Sequence, residues 1–286
     1  MNKILEPRRK ENAAPPTSKK DRQLSNRAVS GAALGLLSLA GIYVGGLWFS
    51  VLVFLMSFAM VFEWAQMVLG RPYSPAFFAL AAGALLGHIL VFVGYPGPAL
   101  GLCFVASAIA AINSPRAKAW ILGGGIYILA PTIGLISLRN GYFPAVGENA
   151  RALTFGLFLV VWASDTGAFL VGSTVGGPRI SPTLSPEKTW SGVIAGSIMG
   201  MACGAFMQVV FFREASILLA IAVGGALGAA SLCGDLIESA CKRAFGVKDT
   251  SNIIPGHGGV LDRLDGMILA TAAMTGALFV HTVFAG

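Results

Sequence analysis

Charged side chains are scarce in this chain. Only 12% of its residues are Asp, Glu, Lys or Arg, whereas 55% are hydrophobic and the mean hydropathy is +0.74. A soluble domain carries about 25% charged residues, roughly twice that share. The composition therefore excludes an ordinary soluble domain and indicates a protein that resides in lipid.

Cysteine is scarce as well, and none of it is spaced for a metal site or a disulfide framework. The four thiols belong to Cys103, Cys203, Cys233 and Cys241, in or beside apolar segments and without a C-x-x-C pair. Isolated thiols in apolar surroundings behave as small core residues. We interpret all four in that way.

Long apolar segments fill most of the chain. About 20 apolar residues cross a hydrocarbon core of about 30 Å as a helix. The predicted spans are 28–46, 47–69, 76–94, 98–113, 118–138, 152–172, 190–212, 215–236 and 261–284. The fourth is the weakest, because it is short and bounded by Pro98 and Pro115. We predict an all-α integral membrane protein with about nine transmembrane helices, in which the glycine runs at 123–125 and 224–225 allow close helix packing.

The basic residues predict the orientation. Residues 1–27 hold eight Lys or Arg and predict a disordered basic tail. The long apolar run after Arg27 is typical of an uncleaved span rather than of a secretory signal. With a cytoplasmic N-terminus, 17 of the 20 cations face inward and only Arg139, Arg151 and Arg213 face outward. Topology and anionic lipid headgroups explain the net charge of +7, so no nucleic-acid partner is predicted.

Acidic residues concentrate in the second half of the chain. Residues 28–150 contain only Glu63 and Glu148, whereas eight of the 13 acids lie between Asp165 and Asp265. We therefore predict N-terminal transmembrane helices that serve as scaffold over 28–150. A C-terminal catalytic membrane domain is predicted over 151–286.

One predicted helix carries several of these acids. It covers residues 226–245 and is ended by Gly246. One face of it carries Asp235, Glu238, Ser239 and Lys242. Two carboxylates about 4 Å apart repel by ~1–4 kcal/mol, which a divalent cation turns into attraction. Oxygen ligands favour Mg²⁺ over Zn²⁺. The alternative is a structural salt-bridge network of Asp235, Glu238, Lys242 and Arg243.

A glycine-rich turn follows at residues 255–259. Its three glycines allow backbone amides to approach an anion closely, as phosphates require. Asp262 and Asp265 then begin the last span on one helical face, with Arg263 between them. The pattern indicates a phosphate site beside carboxylates. On its own, His257 would be interpreted as a turn residue.

The order and spacing of these residues resemble a known family. The matching elements are Ser239-x-x-Lys242-Arg243, Lys248-Asp249, Pro255-Gly256-His257-Gly258-Gly259 and Asp262-Arg263-x-Asp265. Together they resemble the pattern of the phosphatidate cytidylyltransferases, also called CDP-diacylglycerol synthases. The segments 162–168 (WASDTGA) and 184–192 (LSPEKTWSG) are similar to that family too.

The chain departs from the commoner family form, SPKKTxEG, at two positions. Glu187 stands in place of a lysine and Ser191 in place of an acid, whereas Ser185, Lys188 and Thr189 match. The first 110 residues match only as apolar spans with a Glu63-Trp64 pair. That pair either touches a lipid headgroup or marks the membrane interface, and we favour the interface.

The resemblance implies that phosphatidic acid reacts with CTP to give CDP-diacylglycerol and pyrophosphate. The implied catalytic residues are Asp235, Lys242, Arg243, Lys248, Asp249, His257, Asp262, Arg263 and Asp265. The implied substrate-binding residues are Asp165, Ser185, Lys188, Thr189, Glu238, Ser239, Gly258 and Gly259. Asp235 and Asp262 are the expected Mg²⁺ ligands, and a second cation is possible. Asp165 lies near the cytoplasmic side only if its helix is broken at Gly167, and His257 is assigned to phosphate contact.

The resemblance also implies a homodimer in the inner membrane with its active site on the cytoplasmic side. Two other classes of protein stay open. A CTP-dependent polyprenol or phytol kinase has similar spans, but the long motif from Ser239 to Asp265 favours the cytidylyltransferase. A cation-coupled transporter would show broken helices in two related halves, whereas the acids here lie in one half.

Overall fold

Nine α-helices form the part of the chain that the computed structural model describes, residues 19–254 and 258–285 with side chains from residue 29. They are α1 (Lys19–Val44), α2 (Gly46–Leu69), α3 (Pro75–Phe92), α4 (Pro96–Ile112), α5 (Lys118–Arg139), α6 (Ala150–Thr174), α7 (Trp190–Phe211), α8 (Ile217–Ala244) and α9 (Leu261–Ala285). Short 3₁₀ helices cover Pro115–Ala117 and Gly147–Asn149. The all-α prediction is confirmed, and each helix coincides with a predicted span to within a few residues, apart from the earlier start of α1 and the later end of α8.

Seven of the helices in the described residues are long and apolar enough to cross a membrane: α2, α3, α5, α6, α7, α8 and α9. The apolar part of α1, Val29–Val44, is shorter, and so is α4. The predicted tail at 1–27 lies mostly outside the described residues. The last residues of that segment, from Lys19, belong to α1, which begins in the polar segment and continues through the apolar one.

Local signals place the helix ends. Gly70 adopts a φ of 67° and ends α2, while Ser74 accepts a hydrogen bond from Phe77 N and begins α3. Gly246 follows α8 with a φ of 69°, as predicted from the sequence. The segment between α6 and α7 was not predicted in detail. It forms an antiparallel hairpin of β1 (Arg179–Ser181) and β2 (Ser185–Thr189).

Glycines bring the helices close together, as the sequence predicts. A Cβ on Gly224 of α8 would overlap the backbone of Gly200 on α7, so these two helices meet main chain to main chain. A Cβ on Gly124 of α5 would overlap the indole of Trp64 on α2. The most buried span is α5 and the least buried is α7. The core therefore surrounds α5, while α7 lies largely at the surface of the bundle.

Candidate active site

A cleft of about 660 Å³ opens between the hairpin and helices α6, α7 and α8. Asp165 of α6, Lys188 of β2 and Asp235 of α8 line it, together with Ser185 and Thr189. The volume falls within the range of about 300–1,000 Å³ that is usual for small-molecule sites. Five of the predicted site residues thus lie around one cavity, although they are spread over 70 positions in the sequence.

The centre of this cleft is an ion pair. Lys188 Nζ lies 2.5 Å from Asp235 Oδ2, with both side chains about one quarter to one fifth exposed (24% and 21%). The partner of Asp235 therefore comes from the hairpin, and not from the same face of α8. Because the pair is only partly exposed, water screens it less than it would a surface pair.

Asp165 belongs to the same cleft. Its Oδ1 accepts a hydrogen bond of 3.0 Å from Ser231 Oγ on α8, and its charge lies within electrostatic range of Asp235. The break at Gly167, which was the condition for Asp165 to lie near the cytoplasmic side, does not occur, because α6 continues as a helix to Thr174. Asp165 therefore lies nine residues, or about 14 Å, before the end of α6. A cleft that reaches down between the helices makes it accessible without a break.

The hairpin is held against α7 by hydroxyl groups. Thr189 is the N-cap of α7 and accepts a hydrogen bond from Gly192 N, so its hydroxyl already has a structural partner. Ser191 Oγ donates to the carbonyl of Gly176 at 2.5 Å. The serine that departs from the family pattern therefore ties the start of α7 to the segment between α6 and the hairpin. Glu187, the other departure, is exposed at the rim of the cleft.

A second cluster joins α8 to α9. Lys242 Nζ lies 2.6 Å from Glu238 Oε2 and 2.8 Å from Asp262 Oδ1, and all three side chains are buried or nearly so. The alternative interpretation, a structural salt-bridge network, is found only in part, because Asp235 pairs with Lys188 and Arg243 Nη1 donates to the Val247 carbonyl. The other oxygen of Glu238, Oε1, is buried without a hydrogen-bond partner among the described residues.

Asp262 also organises the loop before α9. Its Oδ2 accepts hydrogen bonds from Gly259 N at 2.8 Å and from Thr250 N at 2.9 Å, and Thr250 Oγ1 lies 3.0 Å away. With Lys242 on Oδ1, four donors surround this carboxylate. Gly258 adopts a φ of 82° and pairs with Ile254, which closes the turn.

The remaining predicted residues lie around these two clusters. Arg243, Lys248, Asp249 and Arg263 are exposed, and Ser239 and Asp265 are partly buried. The main chain of Asp265 packs against Gly234 of α8, and its carbonyl lies 3.3 Å from the Tyr127 hydroxyl. Pro255, Gly256 and His257 lie outside the described residues, so the prediction for His257 stays a prediction.

Glu63 is the residue that the sequence interpretation missed. It does not mark the membrane interface. It is fully buried on α2, and its oxygens accept hydrogen bonds from Ser251 Oγ at 2.6 Å, Leu261 N at 2.8 Å and Val260 N at 2.9 Å. Its rarity offers the only signal in the sequence, since it is one of two acids in residues 28–150.

The donor chemistry of both clusters suits a hard cation. Within residues 19–254 and 258–285, no three acid, histidine or cysteine side chains converge closely enough to form a ready-made metal site. Asp235 and Asp262 instead each hold a lysine ammonium. The buried Oε1 of Glu238, which lacks a partner in the same range, is the kind of orphaned oxygen that an ion or a water satisfies. Carboxylate oxygens without thiol or imidazole fit Mg²⁺.

Comparisons with known proteins cover nearly the whole chain. Residues 25–282 match the model of the family described as "Cytidylyltransferase family". A phosphatidate cytidylyltransferase of Brucella suis is 33% identical over 270 residues, which is 90% of this chain and 94% of that protein. Phosphatidate cytidylyltransferases of Haemophilus influenzae and Staphylococcus epidermidis are each 39% identical, over 142 and 124 residues. Those matches cover 48% and 43% of this chain, and 49% and 47% of the relatives.

Proposed function

Because the chain belongs to the cytidylyltransferase family, we infer that it transfers the cytidylyl group of CTP to phosphatidic acid, with CDP-diacylglycerol and pyrophosphate as products. The observation that carries this inference is the likeness to a phosphatidate cytidylyltransferase over 94% of that protein's length. A phosphate oxygen of phosphatidic acid forms the new bond to the α-phosphorus of CTP. The bond from that phosphorus to the bridging oxygen breaks, and pyrophosphate leaves.

The cleft between the hairpin and α8 suits a lipid phosphate. Its polar end presents Lys188, Ser185 and Arg179, while Phe169 and Val193 contribute apolar wall. Phe169 is 72% exposed on the outer surface of α6, where an acyl chain would lie. A phosphate can therefore meet the ammonium of Lys188 while its hydrocarbon stays among apolar side chains.

The reaction joins two anions, so the protein must supply positive charge and alignment rather than a strong base. Lys188 and Lys242 are suited to this task, because a carboxylate fixes the position of each ammonium. We assign the exposed residues Arg243, Lys248 and Arg263 to the pyrophosphate portion of CTP. Gly258, Gly259 and the His257 turn are assigned to phosphate contact.

We propose that the enzyme uses Mg²⁺ with Asp235 and Asp262 as ligands, and that Glu238 Oε1 is available to a second cation. When bound, Mg²⁺ supplies charge neutralisation for the phosphates and for departing pyrophosphate. Lys188 and Lys242 contact the same carboxylates. When a cation binds, each lysine must therefore share the carboxylate oxygen with the cation or give it up. An ammonium group that gives up its carboxylate is free to move onto a substrate phosphate.

We further propose that all nine helices cross the inner membrane, with the N-terminus and the active site on the cytoplasmic side, and that the enzyme is a homodimer. The bias of the basic residues supports this orientation. Both charged clusters lie at the end of the bundle where α8 finishes and α9 begins. The loop between those helices carries Lys248, which the same bias assigns to the cytoplasm.

The position of a radioactive label tests the reaction. Purified protein is incubated with phosphatidic acid, Mg²⁺ and CTP labelled either at the α- or at the γ-phosphorus. Label from the α-position is expected in the chloroform-soluble product, and label from the γ-position is expected in pyrophosphate.

The same assay separates the other classes of protein. Transfer of γ-label to lipid would identify a kinase and refute the cytidylyl transfer. Transfer of neither label would favour a transporter. A reaction without divalent cation serves as the control for the Mg²⁺ proposal, and full activity in chelator would contradict it.

A further inference from the structure

A carboxylate from the scaffold half of the chain holds the start of α9. Glu63 lies on α2, and the donors that it binds are 187–198 residues away in the sequence. None of its surface is exposed. A buried carboxylate is tolerated only where hydrogen bonds replace its lost water. Three donors within 3.0 Å do so here, at Ser251, Val260 and Leu261.

Two of these donors are backbone amides at the N-terminus of α9. The first amides of a helix have no partner within the helix, and its dipole favours a negative charge at that end. Glu63 accepts from Val260 N with one oxygen and from Leu261 N with the other. The carboxylate therefore spans the helix start and fixes both its position and its direction relative to α2.

Glu63 is also linked to Asp262. Thr250 Oγ1 lies 3.0 Å from Asp262 Oδ2 and 3.3 Å from Glu63 Oε2, so its single proton lies between two carboxylates. Gly259 sits between the same groups, and a Cβ there would come within 2.7 Å of Glu63 Oε1. The glycine allows the buried acid to approach the loop, and the loop in turn holds Asp262 against Lys242.

We propose that Glu63 is a positioning residue for the cytidylyl transfer: by binding the start of α9 and the loop at 250–251, it holds Asp262 and Lys242 in their working arrangement. It touches neither substrate. The catalytic consequence of this inference rests on the proposed function. The contacts of Glu63 with the start of α9 do not depend on that function.

Glu63→Gln tests the proposal, with Glu148→Gln as the matched control. Glu148 is the other acid of residues 28–150 and is exposed. The first measurement is deuterium exchange of the amides at 258–264 in the protein without substrate. Glu63→Gln is expected to raise their exchange at least about tenfold, because the amide group presents a donor to the Val260 or Leu261 N–H. The control variant is expected to leave it unchanged.

The second measurement is the kinetics of CTP turnover. Glu63→Gln is expected to lower kcat/KM for CTP at least about tenfold, with a higher KM for CTP, because the groups that meet its phosphates are displaced. A purely structural role would reduce the active fraction and so lower kcat without changing KM. Where Glu63→Gln does not fold, Ser251→Ala serves instead, because it removes one donor and leaves Glu63 bound to the two backbone amides. A smaller rise is then expected in the deuterium exchange at 258–264 and in the KM for CTP.

The two measurements separate the possible failures. Unchanged exchange at 258–264 would refute the link between Glu63 and α9. Faster exchange with an unchanged KM for CTP would refute the positioning role and leave Glu63 structural. A wild-type protein without cytidylyl transfer would refute the proposed function. The exchange result would then still decide the structural link.

Discussion

At the residue scale, the site consists of carboxylates that hold lysines. Asp235 faces the cleft and binds Lys188 through one oxygen, whereas Asp262 lies between two helices with four donors around it. Equivalent substitutions at these two acids should therefore have different effects on stability. Their effects on turnover should be the same.

We expect Asp235→Asn and Asp262→Asn each to abolish cytidylyl transfer, because both carboxylates are assigned to the cation. Asp235→Asn should leave the melting temperature in detergent close to that of the wild type. Asp262→Asn should lower the stability by about 1–3 kcal/mol, because the single carbonyl oxygen of an amide cannot accept both from Lys242, now on Oδ1, and from the donors of Thr250 and Gly259, now on Oδ2. Normal Mg²⁺-dependent turnover in either purified variant would contradict the metal assignment.

Lys242 neutralises two buried acids at once. Lys242→Met should destabilise the protein by about 3–5 kcal/mol, because it leaves Glu238 and Asp262 buried without a counter-charge. Adding Glu238→Gln should restore much of that stability without restoring activity. Thermal unfolding of the single and double variants checks this prediction, and equal instability of the two would show that the buried charges are not the cause.

The partners of the charged residues could not be predicted from spacing. Lys188 and Asp235 are 47 residues apart, and Glu63 and Leu261 are 198 apart. Helical periodicity groups residues three and four apart on one face, and it correctly placed Glu238 beside Lys242. It carries no information on which helices meet. The resemblance therefore named candidate site residues, several of which the structure brings together, but it did not predict their contacts, and it left Glu63 without a role.

At the element scale, the helices were predictable and the hairpin was not. A run of about 20 apolar residues is a strong signal for a membrane helix. The two strands are three and five residues long and contain a proline and several polar side chains, so the sequence carries almost no signal for them. The hairpin is nevertheless the element that brings Lys188 into the cleft. Its position follows from the Thr189 cap and the Ser191 bond, which become visible only when α6 and α7 are packed.

Two adjacent glycines of α5 provide a matched test of the helix packing. Gly124 faces the indole of Trp64, whose Nε1 donates to the Trp120 carbonyl at 3.0 Å, whereas Gly123 is exposed with no atom near it. Gly124→Ala should lower stability by about 1–3 kcal/mol through overpacking. Gly123→Ala should be neutral or slightly stabilising, since alanine is the better helix former. Thermal unfolding in detergent checks this pair, and equal effects would contradict the contact between α2 and α5.

At the scale of the whole molecule, the two charged clusters share one helix, and we propose that they form one active site. α8 carries both of them, since Asp235 belongs to the cleft and Glu238 and Lys242 to the contact with α9. The N-terminal helices reach this end through Glu63. The predicted scaffold half therefore contacts the predicted catalytic half directly, at the start of α9.

Membrane sidedness is tested by one cysteine in the loop before α6 and another in the loop between α8 and α9. Gly147 has a φ of 50°, which strains any other residue, and Thr250 is buried. Cysteines at the nearby exposed residues Glu148 and Asn252, in a background without native cysteine, avoid both problems. Helices α6, α7 and α8 separate these positions. In intact cells, an impermeant thiol reagent should label Glu148→Cys and not Asn252→Cys. The reverse pattern would overturn the proposed orientation.

A second cysteine pair tests whether α4 spans the membrane. The 17 residues of α4 make a helix of about 26 Å, slightly less than a hydrocarbon core of about 30 Å. Tyr95 precedes the helix, Arg116 follows it, and both are exposed. If α4 crosses the membrane, the reagent labels Tyr95→Cys in intact cells and reaches Arg116→Cys only after the membrane is permeabilised. Labelling of both in intact cells would place the two ends on one side. The number of spans would then be lower than nine, and the side assigned to the α8–α9 loop would have to be derived again from α5 onward.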